Sequence, residues 1–372
     1  MTPLPQPVIA VVALEPVYSI LMSMAALRSP ENYGGLEDWV IQTASGMEPA
    51  LRAEHHLLFG WLWLDALTNA VARGPATESF PAYLTALAAQ DPTVLRDKLF
   101  YWLLHSPHLR VGYEYRLDMP MAMQPMAPSD LDLLLTHAAA FVALMTERVG
   151  AKVEELEGAY AIHTLFNQPE QLQSRLVTHL QTLWERFLAA EWLRVQPRLQ
   201  ATVAAFQSIQ LENLSILEAM QLVTGRDLRP AFRLDTLLAY RYIRFIPHMH
   251  TGPYIVWFGN DEELRIGFPA RQPPSVAQRR PAFDLSTSVN RYKALADETR
   301  LAILLAIREA EELSTQAVID QFALDKSAAS RHLRQLVATS LIEEARAEGA
   351  KKVYRMNDKA IAELIQLLTQ LT

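Results

Sequence analysis

The sequence predicts a mainly α-helical protein: a large helical N-terminal domain with a small β-sheet, followed by a C-terminal winged helix-turn-helix. Three observations carry this prediction. Helical hydrophobic periodicity dominates residues 1–268, a proline-rich stretch interrupts it at 269–283, and short helices followed by a basic hairpin pattern occupy 284–372. At 372 residues the chain is also too long for one ordinary core, which agrees with two domains.

The composition is that of a globular protein and excludes several kinds of site. Half of the residues are hydrophobic and 20% are charged, whereas disordered chains are poorer in apolar side chains. No apolar run reaches the roughly 18 residues of a membrane span, and the first seven residues lack a basic signal region. The chain has no cysteine, which excludes disulfides and thiolate ligands. We therefore expect a cytoplasmic protein that does not contact membranes.

Helices account for most of the expected N-terminal domain. Residues 49–73 are apolar on nearly all sides, which predicts a central buried helix. A second helix is expected over 130–149. The amphipathic pattern of 169–207 predicts a long helix that is kinked or split at Pro197.

Two regions look extended. Residues 8–14 are β-branched and apolar, and residues 254–259 and 263–268 flank Asn260-Asp261, which suits a hairpin turn. We expect a small sheet that pairs the first strand with this hairpin. The basic stretch RYIRF at 241–245 is explained equally well by a positive rim and by the charge pattern of a sheet edge.

The stretch 269–283 marks the expected domain boundary, because its four prolines oppose a helix and it has little apolar content. Beyond it, a first helix is expected over 286–296. Asp297, Ser314 and Asp325 each precede a helical pattern. A short polar side chain in that place accepts hydrogen bonds from the free N–H groups at the helix start.

The helix after Asp325 has two different faces. At 100° per residue, Ala329, Leu333 and Leu336 cluster on one side. Ser327, Arg331 and Arg334 fall on the opposite side, with Ser330 on the flank. An apolar back and a polar, basic front are what a helix inserted into the DNA major groove requires, although a solvated surface helix shows the same pattern.

A basic hairpin follows and favours the DNA interpretation. Residues 342–346 and 351–356 alternate, and three basic side chains near the tip can contact phosphates. The net charge of −7 does not oppose this, because residues 325–355 contain seven basic and four acidic residues. The last helix, 359–371, has a wide apolar stripe that the small tail cannot bury alone, so a second subunit is expected to cover it.

Three stretches carry a family resemblance. KALADETRLAILLAI, ALDKSAASRHLRQL and GAKKVYRMND resemble the ArsR/SmtB-type winged-helix transcription regulators over about residues 286–370. The resemblance implies a homodimer built on the first and last helices of the tail, and DNA recognition that includes Lys326 and His332. With the basic face and the hairpin, the predicted DNA contacts are Lys326, Ser327, Ser330, Arg331, His332, Arg334, Arg346, Lys351 and Lys352.

The chain departs from the metal-sensing members of that family. Neither 314–322 nor the last helix contains Cys or His, so thiolate sensing of a metal by this tail is excluded. His248 and His250 would share a strand face, but no third ligand could be named. We expect no metal and no cofactor. The segment EPVYSILMSMAAL resembles an uncharacterised domain that precedes such tails in some longer bacterial regulators, and it implies no ligand.

The aromatic residues of the N-terminal domain allow two interpretations. All seven tryptophans precede the linker, and core packing explains them. Alternatively, some of them line an apolar effector pocket between helices. The candidate pocket residues are Phe59, Trp63, Tyr101 and Met145.

The sequence therefore predicts a homodimeric regulator of the repressor type that binds double-stranded DNA at an inverted repeat, with an N-terminal domain that senses a non-metal signal, such as a small apolar effector. Two alternatives stay open: an enzyme fused to a DNA-targeting tail, and a domain that docks a protein partner. Because no nucleophile or acid–base motif is found, we do not expect an enzyme.

Overall fold

The computed structural model describes residues 8–62, 64–105, 128–149, 156–229, 232, 234–273, 285–346 and 352–370. It is mainly helical with small sheets, as the sequence predicted. The helices before the linker are α1 (Pro16–Ala26), α2 (Asp38–Gly46), α3 (Pro49–Trp61), α4 (Leu64–Ala70), α5 (Phe80–Ala88), α6 (Pro92–His105), α7 (Pro128–Thr136), α8 (Ala138–Val149), α9 (Leu156–Phe166), α10 (Pro169–Leu183), α11 (Ala189–Gln207), α12 (Ile216–Thr224) and α13 (Leu234–Leu237).

Several expected helices are divided in the structure. The buried region 49–73 forms α3 and α4, and 130–149 forms α7 and α8. The long helix over 169–207 departs from α-helical geometry at Trp184–Leu188, which is a π-helical turn, whereas Pro197 lies inside α11. The predicted split at Pro197 was therefore wrong, because α11 continues through it and the wider turn comes thirteen residues earlier, whereas a kink at Pro197 stays a prediction.

Four strands form the sheet of the N-terminal domain. They are β1 (Ile9–Val12), β2 (Tyr242–His248), β3 (Val256–Gly259) and β4 (Glu263–Pro269), in the order β1-β2-β4-β3. The hairpin of β3 and β4 is confirmed. The direct pairing of β1 with that hairpin was wrong, because β2 lies between them and pairs in parallel with both β1 and β4.

Strand β2 also corrects the interpretation of 241–245. Residues 242–245 form neither a positive rim nor a sheet edge, because β2 is an inner strand and nearly all of it is buried, whereas Arg241 precedes β2 and is exposed. Arg244 is 8% exposed and pairs with Glu15 and Glu263 at 3.2 and 2.6 Å. Arg265 pairs with the same Glu263 at 2.8 Å. Opposite charges therefore accompany these arginines into the interior, as burial requires.

The C-terminal domain contains α14 (Leu285–Leu295), α15 (Glu298–Ala310), β5 (Glu312–Ser314), α16 (Thr315–Phe322), α17 (Lys326–Ala338), β6 (Ile342–Arg346), β7 (Lys352–Met356) and α18 (Asp358–Thr369). Strand β5 was not predicted. It extends the hairpin to an antiparallel sheet of order β5-β7-β6.

The three predicted helix caps of this domain are confirmed. Asp297 accepts a hydrogen bond from the backbone N–H of residue 300, at 2.9 Å. Ser314 and Asp325 accept in the same way from residues 317 and 328, at 3.1 and 2.8 Å. Each cap fixes where a helix begins, so the turn between α16 and α17 follows from local chemistry.

The apolar clusters follow the predicted domains except that Ala338 of α17 belongs to the N-terminal one, and the division into two domains stays a prediction. One cluster fills the helical part of the N-terminal domain and a second packs α11 and α12 against its sheet. A third lies among α15, α16, α17 and the C-terminal sheet. Residues 274–284 lie outside the described part of the chain, so the linker at 269–283 stays a prediction, although Pro269 belongs to β4.

Among the residues that the structure describes, no helix has both the length and the apolar composition that crossing a membrane requires.

Candidate nucleic-acid interface

Helix α17 has the buried back that the sequence predicted. Ala329, Leu333 and Leu336 are 0–1% exposed and belong to the C-terminal apolar cluster. On the other side, Ser327 is exposed, and Lys326 at the start of the helix is exposed as well. The first turn of α17 therefore presents polar side chains to solvent, as a helix that enters a DNA groove must.

Three further predicted contacts lie along the same helix. Ser330, Arg331 and Arg334 are partly exposed. Arg334 Nη2 donates a hydrogen bond of 3.3 Å to Ser330 Oγ. Arg331 lies one turn beyond Ser327, so the two side chains share a face and can reach the same stretch of a groove.

His332 lies in a different environment. Its side chain is 12% exposed, and its Nδ1 is 3.9 Å from Asp297 Oδ1 at the start of α15. Burial lowers the pKa of His332, and the nearby Asp297 opposes that shift only in part. The side chain is thus turned toward the rest of its own domain, and its contact with DNA stays a prediction.

The C-terminal half of α17 contacts the N-terminal domain. Arg334 Nη1 donates to the carbonyl oxygen of Asn32 at 3.2 Å, and its guanidinium lies 5.3 Å from the centre of the Tyr33 ring. Gln335 is 3% exposed and lies against Gly34. No sequence signal indicated this contact, because its two sides are about 300 residues apart.

Two more contacts continue this junction. Ala338 is 6% exposed and packs into the helical cluster of the N-terminal domain. Arg226, which follows α12, donates a hydrogen bond of 3.0 Å to the carbonyl oxygen of Val337. The end of α17 is therefore held by polar and apolar contacts together.

In the hairpin, Lys352 is already partnered. Its Nζ lies 2.6 Å from Glu344 Oε2 and 5.5 Å from the centre of the Tyr354 ring. Burial disfavours its charge, but Tyr354 and Glu344 outweigh that effect and raise the pKa of Lys352. Lys351 and the side chain of Arg346 lie outside the described residues.

The predicted effector pocket is dispersed. Phe59 is buried with its ring 4.5 Å from that of His55, and Met145 is buried in the helical core. Tyr101 is 39% exposed and lines a groove of about 460 Å³ whose described lining includes neither of them. Trp63 lies outside the described residues. The groove at Tyr101 is the part of this prediction that has an accessible volume.

A second, more polar cavity lies where the two domains meet. Its volume is about 370 Å³, within the usual range for small-molecule sites. Arg226 and Asp227 line it from the N-terminal domain, and Ser340, Arg291 and Glu363 from the C-terminal domain. The last two pair with each other at 2.7 Å. The sequence could not indicate this cavity, because it joins segments distant along the chain.

A polar cluster inside the N-terminal domain brings two carboxylates to His250, but His248, the other histidine of the sequence pattern, is not part of it and contacts Thr251 instead. His250 Nε2 lies 2.7 Å from Glu191 Oε1, and its Nδ1 lies 2.8 Å from Ser23 Oγ. Ligand atoms of Glu37, Glu191 and His250 lie within 4.8 Å of one another, a spacing compatible with a metal ion. However, Arg194 contacts both carboxylates and already supplies positive charge there. Burial alone would raise the pKa of Glu191, but hydrogen bonds from His250 and Arg194 lower it to about 2.

Comparison with known proteins agrees with the geometry of the C-terminal domain. Residues 295–345 match the family model of a helix-turn-helix domain. This segment runs from the end of α14 into β6 and includes α17. The match supports a DNA-binding regulator. No curated protein matches the chain.

Proposed function

We propose that the protein is a homodimeric transcription regulator of the repressor type rather than an enzyme. It binds an inverted-repeat operator through α17 and the β6–β7 hairpin, and its N-terminal domain senses a non-metal signal. One observation carries the proposal: within a segment that matches a helix-turn-helix model, α17 combines a fully buried back with an exposed, polar first turn.

Selection of genomic DNA fragments by the purified full chain tests this proposal. Fragments retained at low salt and competed by rising salt should share an inverted repeat, because phosphate contacts make binding salt-dependent and two subunits read two half-sites. Failure to retain any fragment in a salt-dependent manner would contradict the proposal.

Exposed apolar side chains favour a dimer that uses the outer helices of the C-terminal domain. Leu305 of α15 is 63% exposed, and Ile365 and Leu368 of α18 are 56% and 50% exposed. Val289 of α14 is 42% exposed, and α14 is joined to α18 by a 2.9 Å hydrogen bond from the Tyr292 hydroxyl. A second copy would remove these side chains from water.

Ile365→Glu is expected to weaken the dimer by about tenfold or more, because association would bury an unpaired carboxylate. Sedimentation velocity across a concentration series measures the change. Leu193→Glu is the matched control, since Leu193 is 71% exposed and lies on α11, in the other domain. An unchanged dimer in Ile365→Glu would place the interface elsewhere.

Lys352→Ala is expected to weaken binding to every DNA sequence by a similar factor and to lower the salt slope by about one. Glu344→Gln is the opposing variant, because it removes the carboxylate that pairs with Lys352 and leaves that ammonium for phosphate. It should steepen the salt dependence. Equal slopes in both variants, measured by fluorescence anisotropy at several salt concentrations, would exclude Lys352 from the interface.

For the sensing role, the junction cavity and the groove at Tyr101 are the candidate effector sites. An effector in the cavity would contact both domains at once, so it could favour one relative arrangement over another. All seven tryptophans precede the linker. Ligand-dependent tryptophan fluorescence would therefore report on the N-terminal domain directly.

A further inference from the structure

One side of α17 has two competing uses. Three residues of α17 lie opposite its buried back, namely Ser327, Arg331 and Ala338. Arg334 lies next to them on the same side of the helix. The first two lie on the predicted DNA face, whereas Ala338 packs into the core of the N-terminal domain and Arg334 contacts Asn32. The N-terminal domain therefore covers the same side of the helix that a major groove would receive.

The covering segment is shaped for this contact. Pro30–Asn32 forms a short 3-10 turn that directs the Asn32 carbonyl at Arg334. Tyr33 presents its ring face to the same guanidinium, and an edge-to-face contact with Tyr254 at 5.5 Å holds that ring in place.

Glycine lets the two domains approach closely. A Cβ at Gly34 would lie 1.7 Å from Gln335 Oε1, so a larger residue there would displace the end of the Gln335 side chain from this contact. Gln335 is consequently 3% exposed. A polar side chain on the open side of a recognition helix is normally solvated, so this degree of burial marks a tight interface.

We infer that residues 30–35 form an autoinhibitory clamp on α17, and that DNA and the N-terminal domain compete for this helix. The inference rests on the proposed DNA-binding function. A major groove about 12 Å wide admits a helix and little else, so α17 cannot enter it along its length while the clamp is closed. When the clamp opens, Arg334 loses its contacts with the Asn32 carbonyl and the Tyr33 ring and becomes available to contact DNA.

The clamp sets the apparent DNA affinity. When only a fraction of molecules is open, the dissociation constant measured for DNA rises by the inverse of that fraction. Any ligand that binds the closed form better, for instance in the adjoining cavity, lowers the DNA affinity further by the same linkage. Variants that shift the clamp therefore change DNA binding without altering a DNA contact.

A reversible cross-link gives the sharpest test, because the natural chain has no cysteine. The position of a Cβ at 34 lies 2.3 Å from Gln335 Cδ, which brings the Cβ atoms of Gly34→Cys and Gln335→Cys close to the roughly 3.5–4.5 Å of a disulfide. The oxidised double variant should bind operator or genomic DNA about tenfold or more weakly than its reduced form. Excess DNA should also slow the formation of the disulfide, read on a non-reducing gel.

The reduced double variant and the two single variants under oxidant control for the substitutions themselves. A second test opens the clamp from the N-terminal side. Tyr33→Ala should increase DNA affinity several-fold, whereas Tyr33→Phe, which keeps the ring face, should not.

Two negative results are distinguishable. Equal DNA affinity of the oxidised and reduced double variant would overturn the clamp alone. Failure of every form to bind DNA, Tyr33→Ala included, would overturn the proposed function and the clamp with it.

Discussion

Arg331→Ala is expected to reduce the affinity for specific DNA by about 1–3 kcal/mol, which corresponds to roughly 5- to 150-fold. Arg331 is partly exposed on the side of α17 opposite the buried Ala329 and Leu333. A guanidinium there can donate two parallel hydrogen bonds to the edge of a guanine, and alanine makes neither. The loss should be much smaller on unrelated DNA.

Titration of a selected operator fragment and of a scrambled fragment, followed by gel shift, measures this difference. Arg308→Ala is the matched control. It removes the same charge from the same domain, but Arg308 lies on α15, is 63% exposed and pairs with Asp358. Equal affinities of the two variants for the operator would exclude Arg331 from base recognition.

Acidification from pH 7.5 to pH 5 is expected to cost several kcal/mol of folding stability. His55, His179 and His248 are 0–3% exposed, and burial lowers their pKa values to about 3, 4 and 3. Unfolded histidine has a pKa near 6.5. Between these values the unfolded chain binds more protons, so stability rises with pH. The contribution of these three histidines to folding stability is therefore fully present above about pH 7 and is lost progressively as the pH falls below about 6.5.

Each buried histidine contributes about 1.4 kcal/mol per pH unit across that window. Denaturant unfolding at pH 7.5, 6 and 5, followed by tryptophan fluorescence, measures the slope. His179→Gln removes one titrating group and retains an amide that can donate to His55 Nδ1, which lies 3.0 Å from His179 Nε2. It should flatten the slope. A slope unchanged in His179→Gln would contradict this account.

Features encoded within about fifteen residues could be predicted from the sequence. The caps at Asp297, Ser314 and Asp325 require only a side chain and the next turn. The two faces of α17 follow from its own periodicity. The hairpin of β3 and β4 is set by a short turn at Asn260-Asp261.

Features that depend on distant segments could not be predicted. Strand β2 contains arginine, proline and histidine and lacks a period of two, since it is buried on both faces and its charge is neutralised by Glu15 and Glu263. The contact of Arg334 with Asn32 joins residues 302 positions apart. Within the candidate DNA interface, the polar face of α17 was visible in the sequence, but the covering of its second half was not.

The parallel pairing of β1 with β2 has a consequence for biosynthesis. Residues 9–12 find their partner only when 242–248 have left the ribosome. At about 5–20 residues per second, the first strand waits roughly 10–50 s with its backbone groups unpaired. The N-terminal domain therefore completes its sheet late, shortly before the DNA-binding segment is synthesised. A nascent chain stalled before residue 242 should expose that strand edge and should be a preferred client of chaperones.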